Sequence, residues 1–364
     1  MNELTGREYT ESKYRKQYQA FQKMLKANAN KFSDAEKYLN EIKEVERSLH
    51  KERIKLQTEK LEYNRWLRED ARDEMFEEKV IASIRENSGK TAPPTRIPSV
   101  PNKRHGLLNI ADMHFGKEFQ IYGVKNELIN AYSPEIFYER MNRLFNETVE
   151  LVQKERMTDI HIFNLGDALE GFLRHSQLWT LRFGVIDSAN IFGEYMGKWL
   201  RALSSYVNIT YYQTVGNHGE LRLLDGRKGE HLSENIEKVT GNYIRIINED
   251  NPNFKMVENR SGFIFAEIAG YNVLGIHGEV KNLAAALKEY SDIYDVKISY
   301  IVAGHKHHSE FSNCGVRKGC IGVGSIVGVD DFSMRLRKAA DATASFVVFE
   351  EGKGKVDEHT FVLN

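Results

Sequence analysis

Downstream of residue 104 the chain alternates short apolar runs with longer stretches in which apolar residues fall three and four positions apart. Short apolar runs bounded by turn formers read as buried strands, and the three-to-four spacing reads as helices with one buried face. The pattern predicts strands over Gly106–Ala111, Asp159–Leu165, Asn208–Val215, Asn272–Ile276 and Ser299–Ala303. It predicts helices over Pro134–Glu155, Ser188–Ser205, Asn235–Ile247 and Leu283–Tyr294. Strands alternating with helices specify an α/β fold. Each predicted strand runs directly into a polar cluster, the place where α/β proteins carry functional loops.

Upstream the pattern differs. Residues 1–92 contain no proline and only two glycines, Gly6 and Gly89, as expected of a mostly helical chain. Ile42, Leu49, Leu56 and Tyr63 recur every seven residues, but Glu52 and Glu59 interrupt the companion stripe, so the heptad is broken. One reading is a helical hairpin or short coiled coil with solvated charged faces. The other is an oligomerisation arm, because a long helix with a narrow apolar seam needs a partner to bury it. Prolines 93, 94, 98 and 101 then mark an extended linker over 93–103. The expected organisation is a helical, coiled-coil-like arm (1–92), this linker, and an α/β domain (104–364).

Charge sharpens the division without changing it: 38 of the first 95 residues are charged, against 65 of the remaining 269. Basic clusters in the arm (Lys13, Arg15, Lys16; Lys51, Arg53, Lys55) are interleaved with acids and read chiefly as a solvated face. The whole chain has a net charge of −1, so contact with a polyanion such as DNA would have to be local. Two cysteines, Cys314 and Cys320, support neither a disulfide framework nor a zinc ribbon and fit a reducing compartment. No segment has the length and apolarity of a membrane span, and MNELTGREYT lacks a leader pattern, so a cytoplasmic location without membrane contact is expected.

Five polar clusters follow the apolar strands. They are Asp112-Met-His114, Gly166-Asp167-Ala-Leu-Glu170, Gly216-Asn217-His218-Gly219-Glu220, His277-Gly278 and Gly304-His305-Lys-His307. Asp112 and His114, two apart, would point the same way in an extended segment. A carboxylate and an imidazole together suit a cation of intermediate softness better than calcium. A lone strand-end aspartate is more often a helix cap, and a lone strand-end histidine more often a hydrogen-bonded structural residue. Five clusters in succession alter that balance. Asn217 and His218, as neighbours, should diverge and serve different roles.

In this order the clusters resemble the calcineurin-like metallophosphoesterase superfamily, over roughly residues 104–364. The resemblance implies two facing sheets flanked by helices, with a dinuclear metal centre at the strand ends. It implies Asp112, His114 and His307 on one metal, Asn217, His277 and His305 on the other, and Asp167 bridging both. Two divalent ions bring four positive charges and the two aspartates cancel two, leaving a surplus for a phosphate and a hydroxide. The metal would be manganese first, with iron, zinc, magnesium, cobalt or nickel also compatible. His218 takes the position of the catalytic residue that binds the phosphate or protonates the leaving oxygen. Relatives commonly carry an acid directly after Gly-Asn-His. Here Gly219 stands there, so either Glu220 orients His218 or another group does. Glu170 replaces a common Asp, and the Asp-Arg-Gly continuation of Ser/Thr protein phosphatases is absent.

The block from Ala111 to Lys117 also looks like the start of SbcD-type DNA exonucleases. The Gly-Asn-His-Gly variant and the segment Ser325–Asp331 resemble phage-encoded metallophosphoesterases, which would act in the host cytoplasm. Arg174, Trp179 and Arg182 mix cations with an aromatic, and Arg335, Arg337 and Lys338 add charge; these are candidate DNA contacts. The expected function is therefore a DNA phosphodiesterase, an exonuclease or single-strand nuclease. The alternatives are a phosphoesterase of nucleotides or other small esters, and a nucleic-acid-binding assembly subunit with a silent metal site.

Overall fold

The computed structural model describes residues 6, 9–28, 44, 47–56, 59–60, 93–171, 180–220, 234–258, 260–335, 337 and 339–364. The chain divides into two compact units, Met1–Phe76 and Glu77–Asn364. In the first, α1 (Glu11–Ala27) buries none of its residues, and Tyr18, Phe21 and Met24 are exposed. Leu49 and Leu56 lie in helical segments with exposed side chains; Ile42 and Tyr63, the other positions of the seven-residue stripe, fall outside the described residues.

The second unit is built from strands β1 (Arg104–Ile110), β2 (Phe119–Tyr122), β3 (Leu128–Tyr132), β4 (Asp159–Asn164), β5 (Asn208–Gln213), β6 (Phe254–Met256), β7 (Ile264–Ile268), β8 (Tyr271–Ile276), β9 (Tyr300–Ala303), β10 (Glu310–Gly315), β11 (Lys318–Gly322), β12 (Thr343–Glu350) and β13 (Gly354–Val362). Its helices are α2 (Pro134–Lys154), α3 (Val185–Leu203), α4 (Glu237–Ile247), α5 (Leu283–Ile293) and the short α6 (Asp331–Arg335). One sheet has the order β13-β12-β1-β4-β5-β6 and the other β10-β11-β9-β8-β7, while β2 and β3 form a separate hairpin. Strands β1, β4, β5 and β6 run parallel, as do β8, β9 and β11; antiparallel β13, β10 and β7 lie at three of the sheet edges and parallel β6 at the fourth.

Alternation along the strands separates the layers. On β1, Leu107 faces the core between the two sheets, with Phe163, Val302, Val347 and Phe349. Leu108 and Ile110 face outward, against Phe137, Met141 and Leu144 of α2 and Phe192 and Met196 of α3. Leu274 and Ile276 of β8 pack outward on Leu283 and Leu287 of α5. The result is the expected two-sheet α/β sandwich flanked by helices. Helix α2 shows why the sequence stops and starts where it does. Ser133 caps it by accepting the Ile136 N–H, Pro134 occupies the first turn, and Phe137, Met141, Leu144 and Leu151 form the buried stripe.

The proline-rich segment is extended, but it is tied down. The Ile97 N–H donates to Asn253 Oδ1 (2.9 Å), the Asn253 amide to the Thr95 carbonyl (2.8 Å) and Ser99 Oγ to Asp159 (2.7 Å). Helix α3 starts at Val185 rather than at Ser188, since Gly184 is the cap and Ser188 is a fully buried helix residue. Among the described residues, no helix is long and apolar enough to cross a membrane.

Candidate metal centre

The polar clusters occupy the C-terminal ends of β1, β4, β5, β8 and β9. Register aligns Ile110 with Asn164 in one sheet and Ile276 with Ala303 in the other, so the chain leaves these strands at a common level. Asp112 and His114 are not in an extended segment as expected. Both adopt left-handed backbone, at φ 51° and 44°. The reason is the neighbouring loop: the Asp112 N–H donates to the Gly166 carbonyl (3.1 Å) and the His114 N–H to the Asp167 carbonyl (2.9 Å). Asp167, His305 and His307 are also left-handed, at φ 50°, 67° and 55°. For non-glycine residues this conformation costs on the order of 1–3 kcal/mol each, and it concentrates at functional sites. Gly216 is required by close approach, because a Cβ there would lie 2.0 Å from Asp167 Oδ1.

All seven residues expected to bind metal come together. Single atoms of Asp112, His114 and His307 lie within 4.8 Å of one another, as do atoms of Asp167, His277 and His305. Asn217 Oδ1 lies 3.0 Å from His277 Nε2. That same nitrogen is 3.1 Å from Asp167 Oδ2 and 3.1 Å from His305 Nδ1. Its partner nitrogen, Nδ1, is 2.9 Å from the Leu165 carbonyl. With the Nδ1 proton donated to that carbonyl, Nε2 faces three electron-rich atoms at once. Such a convergence calls for positive charge, from a proton on Nε2 or from a cation. Near Asp112, Oδ1 of that residue and Nε2 of His114 are buried with no hydrogen-bond partner among the described residues, a second place where donors of the expected kind face inward.

Electrostatics agree. Burial alone would lower the His277 imidazole, but the Asp167 carboxylate beside it overrides this and holds it up at about 10, so the cluster demands positive charge at this spot. Burial would raise Asp167, yet His277 and His218 hold it well below the usual carboxylate range. Burial pushes Asp112 up to about 6. His305 is pushed down to about 4 by burial and then by the charge of His277, and His307 to about 3 by burial and then by His114, which keeps both imidazoles neutral and able to coordinate.

His218 diverges from Asn217 as expected. Its Nδ1 is 3.2 Å from Glu170 Oε1, its Nε2 faces the cluster at 3.9 Å from Asp167 Oδ2, and its ring lies 4.5 Å from that of His114. Burial would lower its pKa, but Asp167 and then Glu170 raise it to about 9. The carboxylate against the ring of His218 is thus Glu170, not Glu220. Glu170 is fully buried and also stands 3.0 Å from His114 Nδ1, so one acid steadies both imidazoles. Glu220 is buried in a short bridge to Asn235.

The sequence reading passed over Lys117 and Asp330. Lys117 Nζ is 2.9 Å from Asp330 Oδ2 and 3.8 Å from Glu170 Oε2, and Asp330 Oδ1 is 4.0 Å from His307 Nδ1. The loop that delivers Asp330 is clamped from behind: Arg140 donates to the Ile326 and Val327 carbonyls, and Asn130 to those of Val327 and Val329. Breaking a buried ion pair from one side costs about 3 kcal/mol. Asp330→Asn is accordingly expected to lose about that much in urea denaturation at neutral pH. Burial would raise the Asp330 carboxyl, but Lys117 and His307 hold it below its usual range, so the stabilisation is present above the unfolded pKa of about 3.9 and is lost as pH falls through the folded value. The gap between the two proteins should close on acidification below about pH 4; a gap that persists unchanged there would contradict the pairing.

Of the expected substrate contacts, Arg182 lies beside the 116–118 segment, its N–H donating to the Gly116 carbonyl and its guanidinium 3.8 Å from Glu118. Arg335 ends α6 and Arg337 follows it, both exposed and just downstream of Asp330. Arg174, Trp179 and Lys338 lie outside the described residues.

Comparison with known proteins places the chain. Residues 1–33 match the YonJ N-terminal domain and residues 43–87 the YonJ coiled-coil domain. Over 373 aligned residues the chain is 30% identical to the SPbeta prophage-derived protein YonJ of Bacillus subtilis (strain 168), covering 100% of this chain and 90% of that protein. The chain belongs to the YonJ family. The coiled-coil match of this YonJ-type chain spans most of the seven-residue repeat, so the helical, coiled-coil-like arm was legible in the sequence. Among solved structures, similarity is found to a dimetal phosphatase from Danio rerio (13% identity, 71% of this chain and 99% of that one, TM-score 0.32). It is also found to a 5'-nucleotidase from Candida albicans (11%, 75% and 54%, TM-score 0.38) and to Vps29 from Entamoeba histolytica with Zn (14%, 71% and 99%, TM-score 0.28).

Proposed function

We propose that this chain is a dinuclear-metal-dependent phosphodiesterase acting on DNA, an exonuclease or single-strand nuclease of phage-type replication or repair, with manganese as its metal. One observation carries the reading: seven donor side chains from five strand ends converge, with His218 held beside them by Glu170. Asp112, His114 and His307 would hold one ion, Asn217, His277 and His305 the other, and Asp167 both. A bound pair of divalent ions supplies charge that polarises phosphoryl oxygens and activates water.

The chain's own groups do the rest. Glu170, accepting from Nδ1, fixes the ring of His218 so that Nε2 faces the cluster, where it can bind a phosphate oxygen or give a proton to the leaving oxygen. Glu170 also holds His114. The prophage origin of the relative supports a phage-type role in the host cytoplasm. Exposed Arg335 and Arg337, with Arg182 at the edge of the site, support local contact with a phosphate backbone in a chain of net charge −1. The seven-residue apolar repeat of the arm supports self-association of the chain.

The test is direct. Manganese-loaded protein is incubated with end-labelled single- and double-stranded DNA and, in parallel, with a chromogenic phosphomonoester and phosphodiester. Degradation of labelled DNA together with the diester is the expected result. Cleavage of the monoester alone would replace the DNA reading with that of a small-ester phosphatase, and metal binding without hydrolysis would leave an assembly subunit.

A further inference from the structure

In the resemblance described above an acid follows Gly-Asn-His, and here that position is Gly219. The surroundings of Gly219 explain the glycine. A Cβ at residue 219 would lie 2.3 Å from Asn235 Oδ1 and 3.1 Å from Glu237 Cγ, so the space is filled by side chains from the start of α4. Asn235 Nδ2 donates to the Gly216 carbonyl (2.8 Å), its Oδ1 accepts from the Glu237 N–H (3.0 Å), and the Ile236 N–H donates to the Gly219 carbonyl (2.9 Å).

Glu237 itself is fully buried, and its two oxygens serve different loops. Oε1 accepts from the Ala168 N–H (2.8 Å) and Oε2 from the Gly216 N–H (3.1 Å). Ala168 follows the bridging Asp167, and Gly216 precedes Asn217 and His218. Burying a carboxylate is costly unless its oxygens are hydrogen-bonded, and both of these are bonded to backbone amides that would otherwise be buried unpaired. The contact also has leverage, since the same two loops meet at the His218 N–H, which donates to Asp167 Oδ1 (2.8 Å).

We propose that Glu237 is the positioning residue that sets the spacing between the 166–168 and 216–218 loops, with its side chain and that of Asn235 filling the space beside Gly219. Its effect on metal and turnover rests on the function proposed above; its effect on the two loops does not.

Glu237→Gln tests this, because it matches the shape but offers only one acceptor oxygen and turns an NH2 against one of the two amides. Hydrogen exchange is measured on the full chain without added metal, over peptides covering 164–170 and 213–219. The peptide whose amide faces the new NH2 is expected to exchange about tenfold faster in E237Q, as for a lost hydrogen bond of about 1.4 kcal/mol, while β1 and α2 keep their wild-type rates. Glu237→Asp, one methylene too short to span both loops, should give the same pattern. In the same proteins, calorimetric titration with Mn2+ should show affinity weakened about 10- to 100-fold, the range for groups that orient metal ligands. Diester hydrolysis should lose kcat with KM unchanged. Wild-type exchange in both peptides, or acceleration spread evenly over the sandwich, would overturn the proposal. If the unsubstituted protein bound no Mn2+, the metal-dependent function would fall, and the exchange comparison would still decide the role of Glu237.

Discussion

Asp167→Ala is expected to abolish hydrolysis and to empty both metal positions together. Asp167 is the carboxylate shared between the two sets of donors: Oδ2 lies 3.1 Å from His277, and the loop carrying it receives the His114 N–H. Removing an outer donor such as Asn217 weakens one position, but removing Asp167 takes the negative charge that both cations require. It also leaves His277 buried without the neighbour that holds its charge. Cationic polarisation of a phosphoryl group is worth several kcal/mol, so the loss in kcat/KM should be on the order of 10³-fold or more. Metal content by plasma mass spectrometry checks the first half of the statement and diester hydrolysis the second. Retention of one tightly bound ion with half the activity would mean that the two positions are independent.

His218→Ala should separate binding from chemistry. The imidazole leans on Glu170 through Nδ1, while its Nε2 lies 3.9 Å from Asp167 Oδ2 and faces the cluster. Removing a positioned proton donor costs about 10²- to 10⁴-fold in turnover, so kcat should fall within that range while metal content stays at the wild-type level. Substitution of Glu170 should be more damaging to metal content than substitution of His218, because Glu170 also steadies His114. Equal turnover in His218→Ala and wild type would remove His218 from the mechanism.

The legible and the hidden parts of this molecule differ for physical reasons. Strands β1, β4, β5, β8 and β9 are rich in buried apolar residues along the stretches that lead into the site, and these stretches end abruptly where the site begins. Strand β10 is exposed almost throughout and carries no apolar face, and the β2–β3 hairpin is short and irregular in register, so neither stands out in a sequence. Asp112 and His114 were recognised for the wrong geometric reason. Left-handed backbone and the adjoining 166–168 loop bring them to the cluster, not strand alternation.

The residues that hold the site in place were harder to find than those that form it. Glu237 sits in the first turn of an amphipathic helix, where an acid ordinarily faces solvent and complements the helix dipole. Lys117 reads as one of many surface lysines, yet its side chain is only 16% exposed. Both are legible only when the tertiary fold brings Asp330, Ala168 and Gly216 against them. Glu170 carried a signal in the sequence, its position three residues after Asp167, but the glycine after His218 drew attention to Glu220 instead.

The account turns on whether those seven side chains bind two cations. Crystals of the protein soaked in Mn2+ and measured near the manganese absorption edge should show two anomalous peaks, one among Asp112, His114 and His307 and one among Asn217, His277 and His305, with Asp167 between them. An absence of peaks at the cluster, with manganese found only on surface acids, would contradict it.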